Sequence, residues 1–338
     1  NKLRLPLSIS EFNFVSVFSG GGGLDLGFAL EGFRPQFSSD VVPDYCNTIR
    51  HNLPSHIVES HDISQLSGKY VLETVGENID IVIGGPPCQS FSILGARKST
   101  SDPRGKLVFE YARFISEINP RVFLFENVRG LLYKNKWYLQ EVIEQLKDFG
   151  YKVNYSLLNA KYYGVPQNRE RVIVMGAKQL LNFPSKFNYT VTAGEALGKM
   201  AFEIPEGSKF FTASMDKYVA NYERASKCVN PRDLYLDRPA RTLTCRNLAG
   251  ATGDMHRVRL PDGRRRRITH REAARLQSFP DSFEFHGNET GIFNQIGNAV
   301  APYFALSLAK EIKQYFVNQT TNNFYPIKDE NNQLMMFS

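Results

Sequence analysis

Val15-Ser16-Val17-Phe18-Ser19-Gly20-Gly21-Gly22-Gly23-Leu24 joins a short apolar run to a glycine-rich turn, and a helical pattern follows over residues 24–30. Strand, turn and helix in that order form the unit of a mostly parallel sheet covered by helices. The unit recurs. Apolar runs at residues 36–39, 79–83, 122–125 and 171–175 read as further strands, and residues 44–52, 106–118 and 136–149 read as helices. The alternation predicts an α/β domain over residues 1–177. From 178 to 267 the chain turns irregular and rich in Lys, Arg, Asn, Thr and Gly, which marks a smaller second domain. At Thr269-His270-Arg271-Glu272 a capping box restarts helical structure, and an apolar helix follows over residues 301–316. Residues 268–338 are therefore expected to complete the first domain, ending in an Asn-rich, poorly ordered tail.

The chain is long enough for one large domain and one small one. Of its 338 residues, 42% are hydrophobic and 22% charged, and no apolar run nears the roughly 18 residues that span a bilayer. The start, Asn1-Lys2-Leu3-Arg4-Leu5, shows no signal-peptide pattern, so an intracellular protein is expected. Cys46, Cys88, Cys228 and Cys245 are widely separated and form no C-x-x-C pair, which argues against a disulfide framework or a structural zinc site. The net charge is +7, and it is localised. Residues 220–271 hold thirteen Lys or Arg against five Asp or Glu, so the rest of the chain is near neutral. Such a patch is the footprint of a polyanion partner. The run Arg264-Arg265-Arg266-Arg267 reads either as part of that patch or as a solvated charged face.

Ligands of open parallel sheets bind beyond the carboxyl ends of the strands. Those ends carry the glycine turn, then Asp40, then Gly84-Gly85-Pro86-Pro87-Cys88-Gln89-Ser90, then Glu126-Asn127-Val128. A glycine run lets backbone approach a ligand, and an acid at the next strand end can bind ribose hydroxyls. No Lys follows to make a nucleoside-triphosphate loop. Cys88 sits in a rigid Pro-Pro turn after a buried strand, the setting of a held nucleophile, and Arg169 and Arg171 could favour its thiolate. Glu126 ends an apolar strand, so it should be desolvated, with a raised pKa suited to proton donation.

In these residues the chain closely resembles the DNA (cytosine-5)-methyltransferases, of the bacterial restriction-modification type. The matching segments are Phe18-Ser19-Gly20-Gly21-Gly22-Gly23, Gly84-Gly85-Pro86-Pro87-Cys88-Gln89-Ser90-Phe91-Ser92, Glu126-Asn127-Val128, Gln167-Asn168-Arg169-Glu170-Arg171, Arg275-Leu276-Gln277-Ser278-Phe279-Pro280 and Gln295-Ile296-Gly297-Asn298-Ala299-Val300. The resemblance implies a Rossmann-like S-adenosylmethionine-dependent methyltransferase fold, with a small irregular target-recognition domain over 178–267. It also implies that Cys88 attacks carbon 6 of a flipped cytosine while Glu126 engages ring nitrogen 3 and the exocyclic amine. Arg171 would contact the carbonyl oxygen, with Arg169 beside it in the same site. Phe18, Gly20, Gly22, Asp40, Val41, Asp62, Ile63, Pro86, Leu107, Asn298 and Ala299 fall where the family binds S-adenosylmethionine, which leaves as S-adenosylhomocysteine. Asp40 stands where many relatives carry Glu, and Asp44 is the next acid in line for the ribose. Gln89, Ser92, Thr242, Thr244 and Arg246 fall at the DNA, and Leu94 lies in the stretch after Cys88.

Double-stranded DNA is the implied partner, met by a monomer in the cytoplasm on nucleoid DNA. A cognate restriction endonuclease is left open as a companion. A transfer-RNA cytosine methyltransferase is the rival within the family, but those enzymes carry a Cys-Phe-Thr segment where this chain reads Arg241-Thr242-Leu243-Thr244-Cys245-Arg246-Asn247. A non-catalytic DNA-binding relative would have lost Cys88 or Glu126, and both are present.

Overall fold

The computed structural model describes residues 11–87, 107–133, 136–225, 232–249 and 254–324; Cys88, Gln89, Ser92 and Leu94 lie outside the described residues. The first half alternates as β1 (Asn13–Val17), α1 (Gly23–Leu30), β2 (Arg34–Asp40), α2 (Pro43–Asn52), β3 (Ile57–Ser60), α3 (Gly68–Val75), β4 (Ile81–Gly84), α4 (Leu107–Ile118) and β5 (Val122–Val128). Then come α5 (Gly130–Tyr133), α6 (Lys136–Asp148), β6 (Lys152–Asn159), β7 (Gln167–Asn168) and β8 (Glu170–Ala177). Seven strands form one sheet in the order β3-β2-β1-β4-β5-β8-β6. The pairings among β1 to β5 are parallel, and β8 runs antiparallel to both β5 and β6. Strand order reverses between β1 and β4, which opens a crevice at their carboxyl ends.

Alternation along the central strands divides the core into two layers, because successive strand side chains point to opposite faces. Phe14, Ile81, Ile83 and Leu124 share one face with Phe304, Leu308 and Ile312. Val15, Val17, Val82, Phe123 and Phe125 share the other with Phe114, Leu139 and Leu146. A sheet covered on both faces needs continuous apolar strands, so β1, β4 and β5 were legible. The four-residue β3 and the half-exposed edge strand β6 were missed by the sequence reading.

The second half holds α7 (Ala193–Leu197), α8 (Ala213–Ala225), β9 (Ala240–Arg241), α9 (Cys245–Ala249), β10 (Arg257–Arg259) and β11 (Arg265–Arg267). It ends with α10 (His270–Leu276), α11 (Glu289–Asn298) and α12 (Pro302–Phe324). Leu197, Leu243, Leu248, Val258 and Ile268 share a third core with Leu276, Phe279, Phe283, Phe293 and Ile296. The chain before α12 thus packs with the irregular region, and α12 packs on the sheet. The capping box forms as expected: Thr269 Oγ1 accepts from Glu272 N, and the Glu272 carboxylate accepts from Thr269 N.

The arginine run is corrected by the structure. It is β11 and the turn before it, and two of its members point inward. Arg266 is fully buried, forked onto both carboxylate oxygens of the buried Glu272 at 2.8 Å. Arg265 pairs with Asp216 and Asp233, while Arg264 turns back to Asp262. Arg257, also fully buried, pairs with Glu223 and Asp233. Burial and pairing therefore withdraw Arg257, Arg266 and most of Arg265 from the exposed basic patch read from sequence.

Candidate active site

Six of the expected cofactor residues, Phe18, Asp40, Val41, Asp62, Ile63 and Leu107, line one cavity at the β1/β2/β4 crevice. Gly20 and Gly22 shape the turn above it with φ of +55° and +76°, a region that glycine enters without steric cost. Phe18 holds φ +53° despite its bulk, the kind of local strain found at ligand sites. Asp40 is tied into this turn: its two carboxylate oxygens accept from Gly20 N at 2.9 Å and Val42 N at 3.0 Å. Burial raises its pKa, against the pull of those two N–H groups. Asp44 is not a cavity residue; it borders a separate hollow with Tyr45 and Asn288. Pro86 lies buried outside the lining, Ala299 sits behind the glycine turn, where a Cβ on Gly23 would lie 3.3 Å from its own, and the exposed Asn298 accepts from Cys245 Sγ at 3.0 Å, also outside the lining.

The donor set fits S-adenosylmethionine. Apolar side chains wall the cavity, Asp40 and Asp62 supply acceptors, and no Lys or Arg is among its described lining residues, as suits a cationic sulfonium ligand. Val41 is 63% exposed, an apolar surface that a stacked base would cover. Ser39 Oγ, in the same wall, is buried with no hydrogen-bond partner. Ser39, His61, Leu66 and Pro87 were not singled out from sequence, and only their places next to strand ends could have marked them.

The second part of the site lies where β5 meets β8. Glu126 pairs with Arg171, Oε1 to Nε at 2.6 Å, and both side chains are about nine-tenths buried. No well-aligned hydrogen bond reaches Glu126 Oε1. Arg171 also lines a polar hollow with Asn168, Glu170, Arg129 and the expected DNA residue Thr242. Thr242 Oγ1 donates to Asn168 O at 2.6 Å. Thr244 begins the turn into α9, and Arg246 stands exposed on that helix. Asn127, to which the sequence reading gave no role, donates from Nδ2 to Pro86 O at 3.0 Å and so ties the Glu126 strand to the turn leading to Cys88.

Arg169 departs from expectation. Its guanidinium is buried and donates to Leu243 O at 2.7 Å, Gly297 O at 3.0 Å and Ala299 O at 2.9 Å. Burial, with Arg171 nearby, pulls its pKa well down. It braces three chain segments and does not face the hollow. Gln167 joins it, accepting from Leu243 N and donating to Leu276 O and Gln277 Oε1. At this knot the segments come so close that a Cβ on Gly297 would lie 2.6 Å from Cys245 N.

The family model for C-5 cytosine-specific DNA methylase matches residues 12–314. The chain belongs to that family. Among curated relatives the methylase is 44% identical to the Type II methyltransferase M.AplI of Arthrospira platensis, over 97% of this chain and 94% of that one. It is 33% identical to the Type II methyltransferase M1.HphI of Haemophilus parahaemolyticus, over 91% and 88%. A solved structure of a putative DNA modification methyltransferase from an E. coli prophage superposes with a TM-score of 0.69 at 25% identity, covering 91% of the methylase and all of that chain. Entamoeba histolytica methyltransferase EhMeth shares the fold, with a TM-score of 0.72 at 18% identity over 91% and 99%. The methylase is thus a DNA cytosine-5 methyltransferase of restriction-modification type that uses S-adenosylmethionine, and its fold is the α/β one expected. No helix among the described residues is long and apolar enough to cross a membrane.

Proposed function

We propose that this methyltransferase flips a cytosine from duplex DNA toward the Glu126–Arg171 pair, beside the hollow that Arg171 lines, and joins it covalently to Cys88. The observation that carries the reading is the buried Glu126–Arg171 pair, Oε1 to Nε at 2.6 Å, with Arg171 also lining the polar hollow. Cytosine presents a carbonyl oxygen, an unprotonated ring nitrogen and an amine along one edge. A guanidinium can donate to the first, and a carboxyl group can donate to the second and accept from the third. Thymine, with a ring N–H and a second carbonyl, would mismatch two of the three.

Carbon 5 of cytosine is too weakly nucleophilic to be methylated while the ring is aromatic. The Cys88 thiolate adds to carbon 6 as Glu126 delivers a proton to nitrogen 3, which moves electron density to carbon 5. S-adenosylmethionine supplies an electrophilic sulfonium methyl group. Loss of the carbon 5 proton then expels the Cys88 thiolate, and nitrogen 3 returns its proton to Glu126, which restores the neutral aromatic ring. Asn127 holds Pro86, two residues before the thiol in sequence, and Arg169 is a positioning residue for the segments it braces. A base in the stack cannot be reached, so flipping is required.

The expected division into 1–177, 178–267 and 268–338 is retained as a proposal, with DNA gripped between catalytic and recognition parts by Gln89, Ser92, Thr242, Thr244 and Arg246. The protein is proposed to act as a monomer on nucleoid DNA in the cytoplasm, beside a cognate endonuclease. Bisulfite sequencing of plasmid DNA from cells expressing the protein tests the reading. Methylated cytosines should recur in one sequence context and vanish in Cys88→Ala, and near-normal methylation by that variant would overturn the mechanism.

A further inference from the structure

The hollow beside Arg171 has a second ion pair that the reaction does not use. Glu170 and Arg171 are adjacent on β8, and each pairs with a residue of opposite charge from the end of β5: Arg171 with Glu126, and Glu170 with Arg129 at 2.8 Å. The two pairs differ in setting. The Glu126–Arg171 side chains are about 10% exposed, whereas those of Arg129 and Glu170 are 55% and 38% exposed. Both Arg129 and Glu170 line the hollow with Asn168 and Thr242. The Arg129 guanidinium lies 4.8 Å from the centre of the exposed Tyr133 ring, which acts as a shelf for its flat face.

Resting on the proposed DNA reading, we infer that Arg129 is a phosphate clamp: it grips a DNA backbone phosphate beside the target nucleotide, and Glu170 holds it in place until DNA arrives. Arg171 is committed elsewhere, since its Nε faces Glu126, its Nη1 donates to Glu170 O and the proposed reading gives its remaining edge to the cytosine carbonyl. Arg129 has five N–H donors, and its Nη1 donates to Glu170 Oε2 at 2.8 Å, so one guanidinium edge is held while the head stays 55% exposed. A phosphate entering the hollow meets the Glu170 carboxylate with like charge unless the guanidinium stands between them. Arg129 therefore swings onto the phosphate and screens Glu170 from it. The planar, forked guanidinium suits two phosphate oxygens at once.

The test uses the full chain and a duplex bearing the site found by bisulfite sequencing, with binding measured by anisotropy across a salt series. Arg129→Gln should weaken DNA binding and lower the slope of log affinity against log salt by about 0.9, the value of one lost phosphate contact. Arg129→Lys should restore the slope, because a point charge still displaces one counterion. Glu170→Gln should tighten binding with the slope unchanged. S-adenosylmethionine affinity and melting temperature should stay at wild-type values in all three, which a merely structural pair would not allow. An unaltered slope in Arg129→Gln, or no recovery in Arg129→Lys, overturns the clamp. Failure of the wild-type protein to methylate the duplex would instead defeat the DNA reading beneath it.

Discussion

Glu126 on β5 and Arg171 on β8 meet diagonally across an antiparallel pair in which Glu126 faces Ile173 and Arg171 faces Val128. Directly opposite partners would leave their long side chains parallel. The diagonal offset lets the two charged ends converge.

Breaking this pair from either side should give different results. Arg171→Ala strands a buried carboxylate and should cost about 3–5 kcal/mol in urea unfolding, with transfer lost as well. Glu126→Gln keeps the shape, so the fold should persist while single-turnover methyl transfer drops by roughly 10²–10⁴, the usual contribution of a positioned acid. A wild-type rate for Glu126→Gln would reduce Glu126 to a structural role.

Asp40 holds the glycine turn from below and faces the cavity from the side. Asp40→Ala should weaken S-adenosylmethionine binding in calorimetry more than it slows transfer at saturating cofactor. Asp40→Asn can still accept from Gly20 N and should fall between the two. If Asp40→Ala binds normally, Asp62, which lines the same cavity, becomes the acid to test in place of Asp44.

Arg266 is a keystone and not a phosphate contact. Its fork on Glu272 also steadies the capping box of α10, because Glu272 Oε2 accepts from Thr269 N. Arg266→Ala should destabilise the protein by about 3–5 kcal/mol, as removal of one partner from a buried pair does. Arg264→Ala, on the exposed turn, should melt like wild type. Chemical denaturation of the two variants side by side decides the matter, and equal stability would return the run to the surface.

Asp25 lies wholly buried under the glycine turn, accepting from Ser16 Oγ at 2.9 Å and Ser38 Oγ at 2.6 Å. Burial outweighs those bonds and lifts its pKa from 3.8 to about 6. The folded state therefore binds this proton more tightly than the unfolded chain, so the group's contribution to stability falls as pH rises between those two values. Above pH 6 the whole penalty is present. Asp25→Asn should gain stability there, on the order of 3 kcal/mol, and gain nothing near pH 4. Melting temperatures from pH 4 to pH 8 give the difference curve, and parallel curves would show that the buried carboxylate carries no such penalty.

Sequence by itself determined the elements whose cause is local or periodic. The runs of β1, β4 and β5 are apolar because both of their faces are covered, and the Thr269–Glu272 box closes within one turn. The glycine turn and Asp40 could be placed because the strand ends of such a sheet converge on one crevice, whereas Asp62, Ile63 and Leu107 were placed by the family resemblance alone. Glu126 was expected to be buried, and it is, but its pairing with Arg171 depends on a register between strands more than forty residues apart. The same holds for the arginines. Arg169, Arg257 and Arg266 read as surface charge or site residues in a linear chain, yet each is enclosed by the fold. Only tertiary structure could decide this, since a guanidinium is stable in the interior solely where distant carbonyls or carboxylates meet it, and local spacing does not record which ones will.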